Sequence, residues 1–550
     1  MEALGTFAFL KEQISTGYFE KLIQTYLLDN QHGALVTIVP EPGRTARLDA
    51  ELKEKLQAYK ESLSREEIEK LVTDTKHLQE YQEEPSSQED LEKIPMLTRE
   101  DISREIAPIY NEEMKIADIP TVFHEIETNG IGYLDLMFDL SDVPEKDLPM
   151  VGLLQAVLGI IDTEHYEYGE LFNEINRHTG GIGTSLELYP DVTKVKEKEF
   201  RATFEIKGKA LYGQIPFAIR MMKEILTASK LDDEKTSERD SFYDKDRLQD
   251  RFLSAGHSAA ALRAMSYKSP ISKFKDTTNG IEYYQNIREM EEHFDEKKEE
   301  IISGLKALSE LLFRKGNVMI SYTASREGLA VLEEEIGSLK EVLYPERMPQ
   351  SRCILHCEKK NEGFKTSSKV QFAAKAGNFI DAGEEYNGAL QILKVIMSYE
   401  YLWINIRVKG GAYGCMSNFN RIGEGYFVSY RDPNLGRTLE IYDGVPEYLE
   451  NFTVSERDMT KYIIGTISNI DQPMTPATKG DRSMNLYMNH VSAEMIRKER
   501  EEILTANQDD IRALAGVARA VLANDQICVI GNEAKIEEEK ELFMTVENLF

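Results

Sequence analysis

Apolar positions recur at helical spacing from about residue 10 to residue 28, and a short apolar run, Ala34-Leu-Val-Thr-Ile-Val39, follows them. A period near 3.6 predicts a helix, and a compact β-branched run closed by Pro40-Glu-Pro-Gly43 predicts a strand. The same succession recurs twice. Asn317-Val-Met-Ile-Ser321 and Ile527-Cys-Val-Ile530 are short apolar runs that each follow a long helical region. The chain therefore opens on what reads as the last helix and strand of a repeat unit, as the back portion of a longer protein or the partner of a separate front portion would.

Residues 44–100 change character. Leu48, Leu52, Leu56, Tyr59 and Leu63 form one apolar stripe, and Ile68, Leu71, Val72 and Leu78 form another, on otherwise charged sequence. Between them Ser64-Arg-Glu-Glu67 has the spacing of a capping box. This predicts a helical hairpin with a narrow seam, followed by a polar linker at 83–88. From 117 to 345 strands are expected near 132–140, 183–188, 200–207 and 317–321, with helices near 147–161 and 166–178. From 350 onward the order repeats, with strands near 353–357, 369–376, 413–419, 425–431 and 527–530 and helices near 384–398 and 400–408. Long strands with grouped helices predict an α+β class, two sandwiches of helices on mainly antiparallel sheets. The expected divisions are 1–43, 44–116, 117–345 and 346–550.

One turn occurs twice. Residues 171–184 end a helical pattern in Arg177-His-Thr-Gly-Gly-Ile-Gly-Thr184, and residues 402–414 end one in Arg407-Val-Lys-Gly-Gly-Ala-Tyr-Gly414. Aligning Gly180-Gly181 with Gly410-Gly411 superimposes Arg177 on Arg407. Glycine pairs at a helix C-terminus allow positive φ and close backbone approach. Only the second copy carries a tyrosine, Tyr413, on the same loop as its arginine. A fixed cation beside a phenol suits a carbonyl or an anionic oxygen. Arg407 also suits a helix C-terminus electrostatically, and Tyr413 suits a strand, so a purely structural reading stands beside the chemical one. Arg177, without a tyrosine, reads as structural, and Lys409 as solvated.

Composition narrows the classes. A net charge of −30 over 550 residues argues against nucleic-acid binding, which needs basic patches. No apolar run approaches the ~18 residues of a membrane span. Four cysteines fit a reducing compartment, and the first residues lack the basic region of a targeting peptide, so a cytoplasmic location is expected. Cys353, His356 and Cys357 raise the question of zinc, but no second ligand pair has metal-type spacing. The alternation of Cys353, Leu355 and Cys357 reads instead as strand packing.

The hairpin, the two α/β units and the Arg407–Gly414 motif together resemble the C-terminal half of presequence-protease-type zinc metallopeptidases, in subfamily C of the insulinase (pitrilysin) family. The resemblance covers nearly the whole chain. It implies four related α/β units in two halves that close around a peptide chamber, with zinc held in the first unit by His-x-x-Glu-His. It further implies that Arg407 and Tyr413 contact the substrate carbonyl across the chamber, with Gly410, Gly411 and Ala412 along the bound peptide. The expected partners are an N-terminal catalytic half and unfolded peptides.

None of the nine histidines opens a His-x-x-Glu-His motif. His293-Phe-Asp-Glu-Lys297 comes nearest, with a lysine where the second ligand should stand, and His124-Glu125 lacks a second histidine four positions on. A zincin needs both imidazoles on one helical face and a carboxylate to activate water. The chain is thus expected to hold no zinc and to supply half of an active centre. The alternative is an inactive peptide-binding or scaffold homologue.

Overall fold

A computed structural model describes residues 2–84, 86–232, 234–346 and 353–550. Pro85 in the expected linker, and 347–352 at the start of the expected last domain, lie outside the described residues. The chain divides into two compact units, Met1–Pro95 and Met96–Phe550.

In the first unit the pattern at 10–28 becomes two helices, Glu2–Gln13 and Tyr18–Ile23, separated at Gly17, whose φ of 70° ends the first helical segment. The strand expected at 34–39 does not form. Residues 30–40 have no regular structure, and Leu35 and Ile38 are 96% and 89% exposed. Strand propensity alone cannot hold a strand, because its backbone groups need a neighbouring ladder. Helices Arg44–Ser62 and Arg65–Glu83 follow the two stripes. The capping box forms as read: the Ser64 hydroxyl accepts from the Glu67 N–H (3.3 Å), and the Glu67 carboxylate accepts from the Ser64 N–H (2.7 Å). The stripes themselves stay open, with Leu52 and Tyr59 more than half exposed.

The second unit holds two six-stranded sheets. The first comprises β1 (Glu112–Ile116), β2 (Ile119–Glu125), β3 (Ile131–Asp139), β4 (Ile182–Pro190), β5 (Phe200–Leu211) and β6 (Val318–Ala324), in the order β1-β2-β6-β3-β5-β4. The second comprises β7 (Glu362–Thr366), β8 (Phe372–Asn378), β9 (Gly414–Phe419), β10 (Glu424–Tyr430), β11 (Gln526–Asn532) and β12 (Thr545–Asn548), in the order β12-β7-β11-β8-β10-β9. β2 runs parallel to β6 as β7 does to β11, and every other shared pairing is antiparallel. The repeat read from the glycine pairs is therefore a repeat of topology. The sheets differ at one edge, where β1 lies antiparallel to β2 but β12 parallel to β7. The strand expected at 353–357 is extended chain outside any ladder, tied to the domain by a Cys353 N–H to Ser141 carbonyl bond of 2.9 Å. The strand that fills its place in the sheet is β7.

Each sheet packs helices on both faces. Leu134, Leu136, Phe138, Phe204 and Ile206 alternate inward and join Leu154 and Met222 in one core. The other face of the first sheet takes helix Pro476–Met488, which touches β2, β4 and β6. In return helix Glu234–Ser266, kinked at Ala255, lies on β8, β10 and β11. β8 is buried along its whole length, and its Ala373, Ala374, Ala376 and Gly377 let helices approach from both sides. Among the described residues no helix is long and apolar enough to cross a membrane.

Candidate functional site

The Arg407 turn starts as a π-helical segment, Trp403–Val408, in which the Lys409 N–H reaches five residues back to the Ile404 carbonyl (2.9 Å). Gly410 has no room for a side chain, since a Cβ would press into the Ile406 carbonyl. Gly411 adopts a φ of 82°, which strains any residue with a Cβ. Its N–H donates to the Arg407 carbonyl (2.9 Å), and the Ala412 N–H donates to the Ile406 carbonyl (3.1 Å). The Gly411 bond closes the helix end as a left-handed glycine cap, and the chain enters β9, the edge strand of the sheet.

The wide turn puts Arg407 between two aromatic rings. Its guanidinium carbon lies 4.1 Å from the Trp403 centroid and 5.5 Å from that of Tyr413, and Nη1 donates to the Tyr413 carbonyl (2.6 Å). No carboxylate pairs with Arg407 among the described residues. Tyr413 is 65% exposed, and among the described residues its hydroxyl meets no hydrogen-bond partner. The turn therefore presents a cation held by two rings and a free phenol on one exposed surface. The N–H groups of Gly411 and Ala412 are already spent on the helix end, and the Ala412 side chain is buried. What Gly410 and Gly411 offer a ligand is clearance.

The earlier turn shares the backbone but not the surface. Gly181 also has positive φ (112°), and the chain again enters an edge strand, β4. Arg177, however, pairs with Glu174 and lies over no aromatic ring among the described residues, while the neighbouring His178 meets Phe217 at a tilt, 4.5 Å between centroids. Gly183 stands at the position of Tyr413.

Three supporting residues were not evident in the sequence reading. Asn434 Nδ2 donates to the Gly410 carbonyl at 2.7 Å. Buried Asp432 accepts from the Asn434 N–H (2.9 Å) and the Thr438 hydroxyl (2.7 Å), and burial raises its pKa despite these bonds. Tyr430 packs edge-on to Tyr413 at 5.8 Å. Besides Tyr413, which the turn motif itself carries, the group around Arg407 with a readable signal is Trp403, four residues before it, at the i,i+4 spacing of a helix face.

The side chains of the described residues do not fit a zinc site. Among the described residues no group of three or more His, Cys, Asp or Glu side chains could hold a metal ion. His124 is fully buried, with Nδ1 donating to the Tyr110 carbonyl (2.5 Å) and Nε2 accepting from Ser321 (3.1 Å), and burial lowers its pKa. His293 stands between helices Ile281–Glu292 and Phe294–Leu312, and Lys297 pairs with Glu289 (2.6 Å). His356 pairs with Glu145 (2.6 Å), and burial first, then Glu145, pushes the Cys353 thiol up to about 11.

Comparison with known proteins gives two family matches. Residues 38–290 match the associated region of the peptidases of family M16, subfamily C, and residues 361–533 match the "PreP C-terminal domain". Protein HypA of Clostridium perfringens is 39% identical over 540 residues, which is 98% of this chain and 55% of that protein. Presequence protease 1, chloroplastic/mitochondrial, of Arabidopsis thaliana is 28% identical over 538 residues, 95% of this chain and 49% of that protein. The chain thus spans about half the length of the curated relatives it matches. Among solved structures, a peptidase M16 inactive domain from Pseudomonas fluorescens covers 77% of this chain and 98% of its own, with a TM-score of 0.53 at 14% identity. A protease from Helicobacter pylori gives a TM-score of 0.53 at 12% identity, covering 77% of this chain and 99% of its own. At those identities the structures show the shared fold.

Proposed function

The chain is the C-terminal half of a peptidase of family M16, subfamily C, and from that premise we propose that it is the non-catalytic half of a zinc-dependent oligopeptide-degrading metalloendopeptidase. In this reading the zinc, and the water it activates, belong to a preceding N-terminal half. The present chain closes the peptide chamber and brings Arg407 and Tyr413 to the scissile carbonyl. As water adds to that carbonyl, negative charge gathers on its oxygen. Donors fixed in place beforehand stabilise that charge without reorganising. The Arg407 guanidinium, held between rings, and the Tyr413 hydroxyl, free in solvent, are such donors.

The observation that carries the reading is the unpartnered Tyr413 hydroxyl beside a clamped cation on an exposed turn. A purely structural turn would gain nothing from it. Two further observations support a missing half. The curated relatives are about twice as long, and residues 2–95 expose Phe7, Leu27, Leu35 and Ile38 by more than two thirds. Apolar side chains this open mark surfaces that another folded part covers. Residues 34–39 would then gain their ladder in a sheet of that part.

The test is reconstitution. The 550-residue chain alone should leave an unfolded fluorogenic peptide intact, and the chain joined to the preceding half should cleave it. Tyr413→Phe should reduce turnover in the joined enzyme. A joined protein that binds zinc and peptide but hydrolyses nothing would replace this reading with that of a peptide-binding scaffold.

A further inference from the structure

Tyr413 reaches solvent from the end of an edge strand, so something must hold its ring in one direction. Its backbone N–H is shared between the carbonyls of Tyr430 (3.0 Å) and Arg431 (3.3 Å). Arg431 sits at a φ of 50°, a left-handed conformation that is costly for a residue with a Cβ. Backbone strain of this kind persists only where the surroundings fix it. The Tyr430 ring meets Tyr413 edge-on at 5.8 Å and carries the Arg431 guanidinium at 5.4 Å. Tyr430 is anchored in turn on the kinked helix Glu234–Ser266, which follows the first sheet's β5 in the chain. Its hydroxyl donates to the Ser254 carbonyl (3.2 Å), one residue before the break at Ala255. Its ring packs on His257 at 4.9 Å and on Phe372 at 5.6 Å. Gly256 lets the helix come that close, since a Cβ there would press into Phe372.

We propose that Tyr430 is a positioning residue for the peptide site. It sets the direction of the Tyr413 ring and ties it to the break in the helix Glu234–Ser266. The inference rests on the functional reading above, and it makes the orientation of the substrate-facing phenol depend on how that helix seats against the second sheet.

The experiment has two arms. Trp403 is the single tryptophan and shares Arg407 with Tyr413, so its emission reports the turn without any need for activity. In the 550-residue chain, Tyr430→Leu should shift Trp403 emission and its quenching by iodide, while Tyr430→Phe, which keeps the ring, should stay near the parent. In the joined enzyme Tyr430→Leu should lower kcat about 2- to 12-fold, the weight of one aromatic pair, with KM little changed. Tyr430→Phe should recover most of that loss. Combined with Tyr413→Phe, Tyr430→Leu should cost nothing further, because both act through one group. Tyr430→Met serves where Leu prevents folding. Losses that simply add, or a Trp403 signal and kcat both unmoved by Tyr430→Leu, would overturn the positioning role. If Tyr413→Phe itself leaves kcat intact, the functional reading falls, and the Trp403 arm alone decides whether Tyr430 orients the turn.

Discussion

The two glycine-pair turns are one backbone with two different side-chain surroundings. Both end a helix, both place their second glycine at positive φ, and both lead into the edge strand of a six-stranded sheet. At the first, Arg177 is neutralised by Glu174, and Gly183 leaves the phenol position empty. At the second, Arg407 is clamped by Trp403 and Tyr413 and meets no carboxylate among the described residues. The difference lies in side chains that the shared fold does not require. A turn kept only for chain reversal tolerates a paired arginine, whereas one that faces a ligand must keep its donors free.

The largest effect should come from the second turn. Tyr413→Phe or Arg407→Ala in the joined enzyme should each cost about 10²–10³ in kcat, the usual loss for one oxyanion donor. Steady-state kinetics with a fluorogenic peptide measures it, and the loss should fall on kcat if the contacts form at the tetrahedral stage. Parent-like kinetics in both variants would make the two turns equivalent after all.

The glycines should separate the turns next. Gly410→Ala drives a Cβ into the rigid Ile406 carbonyl, whereas Gly180→Ala meets only the flexible Lys209 side chain. Thermal unfolding should show a loss of about 1–3 kcal/mol for the first and under about 1 kcal/mol for the second. Equal losses would mean that the backbone shifts freely at 410.

A pH effect should arise in the first sheet. Half-buried Asp135 lies opposite Lys207 on β5 and Ser321 on β6, with Glu205, Glu187 and Asp481 of the covering helix nearby. Burial, then the balance of Lys207 against those three carboxylates, pushes its pKa up to about 8. An unfolded aspartate titrates near about 3.9. Between these values the folded chain holds the extra proton, so this group's contribution to stability falls as pH rises. Asp135→Asn should therefore raise the melting temperature more at pH ~8 than at pH ~5. A constant difference across that range would contradict the assignment.

The smallest effect should be that of Arg177→Ala. Its pair with Glu174 is exposed, and exposed pairs contribute about 0–1 kcal/mol. Melting temperature and peptide hydrolysis should both stay close to the parent. A large fall in hydrolysis would show that the first turn faces the substrate.

Short-range rules account for what could be read from the chain alone. The capping box at Ser64 and Glu67, the glycine pairs and the six-residue spacing of Arg407 and Tyr413 depend on neighbours a few positions away. So does the strand-and-helix order, whose recurrence revealed the repeated topology. Whatever needs a distant partner was settled only in the folded chain. Residues 34–39 have the composition of a strand but no ladder, and 353–357 alternate like one while β7 takes the place in the sheet. Helices Glu234–Ser266 and Pro476–Met488 cover each other's sheets, an exchange that no local pattern encodes. Tyr430, Asn434 and Asp432 come to the Arg407 turn only because β10 pairs with β9 and the chain then folds back against the glycines. The residues that bear the site's charge were legible because they share one turn. The residues that hold them in place were not, because packing and strand pairing are satisfied only in three dimensions.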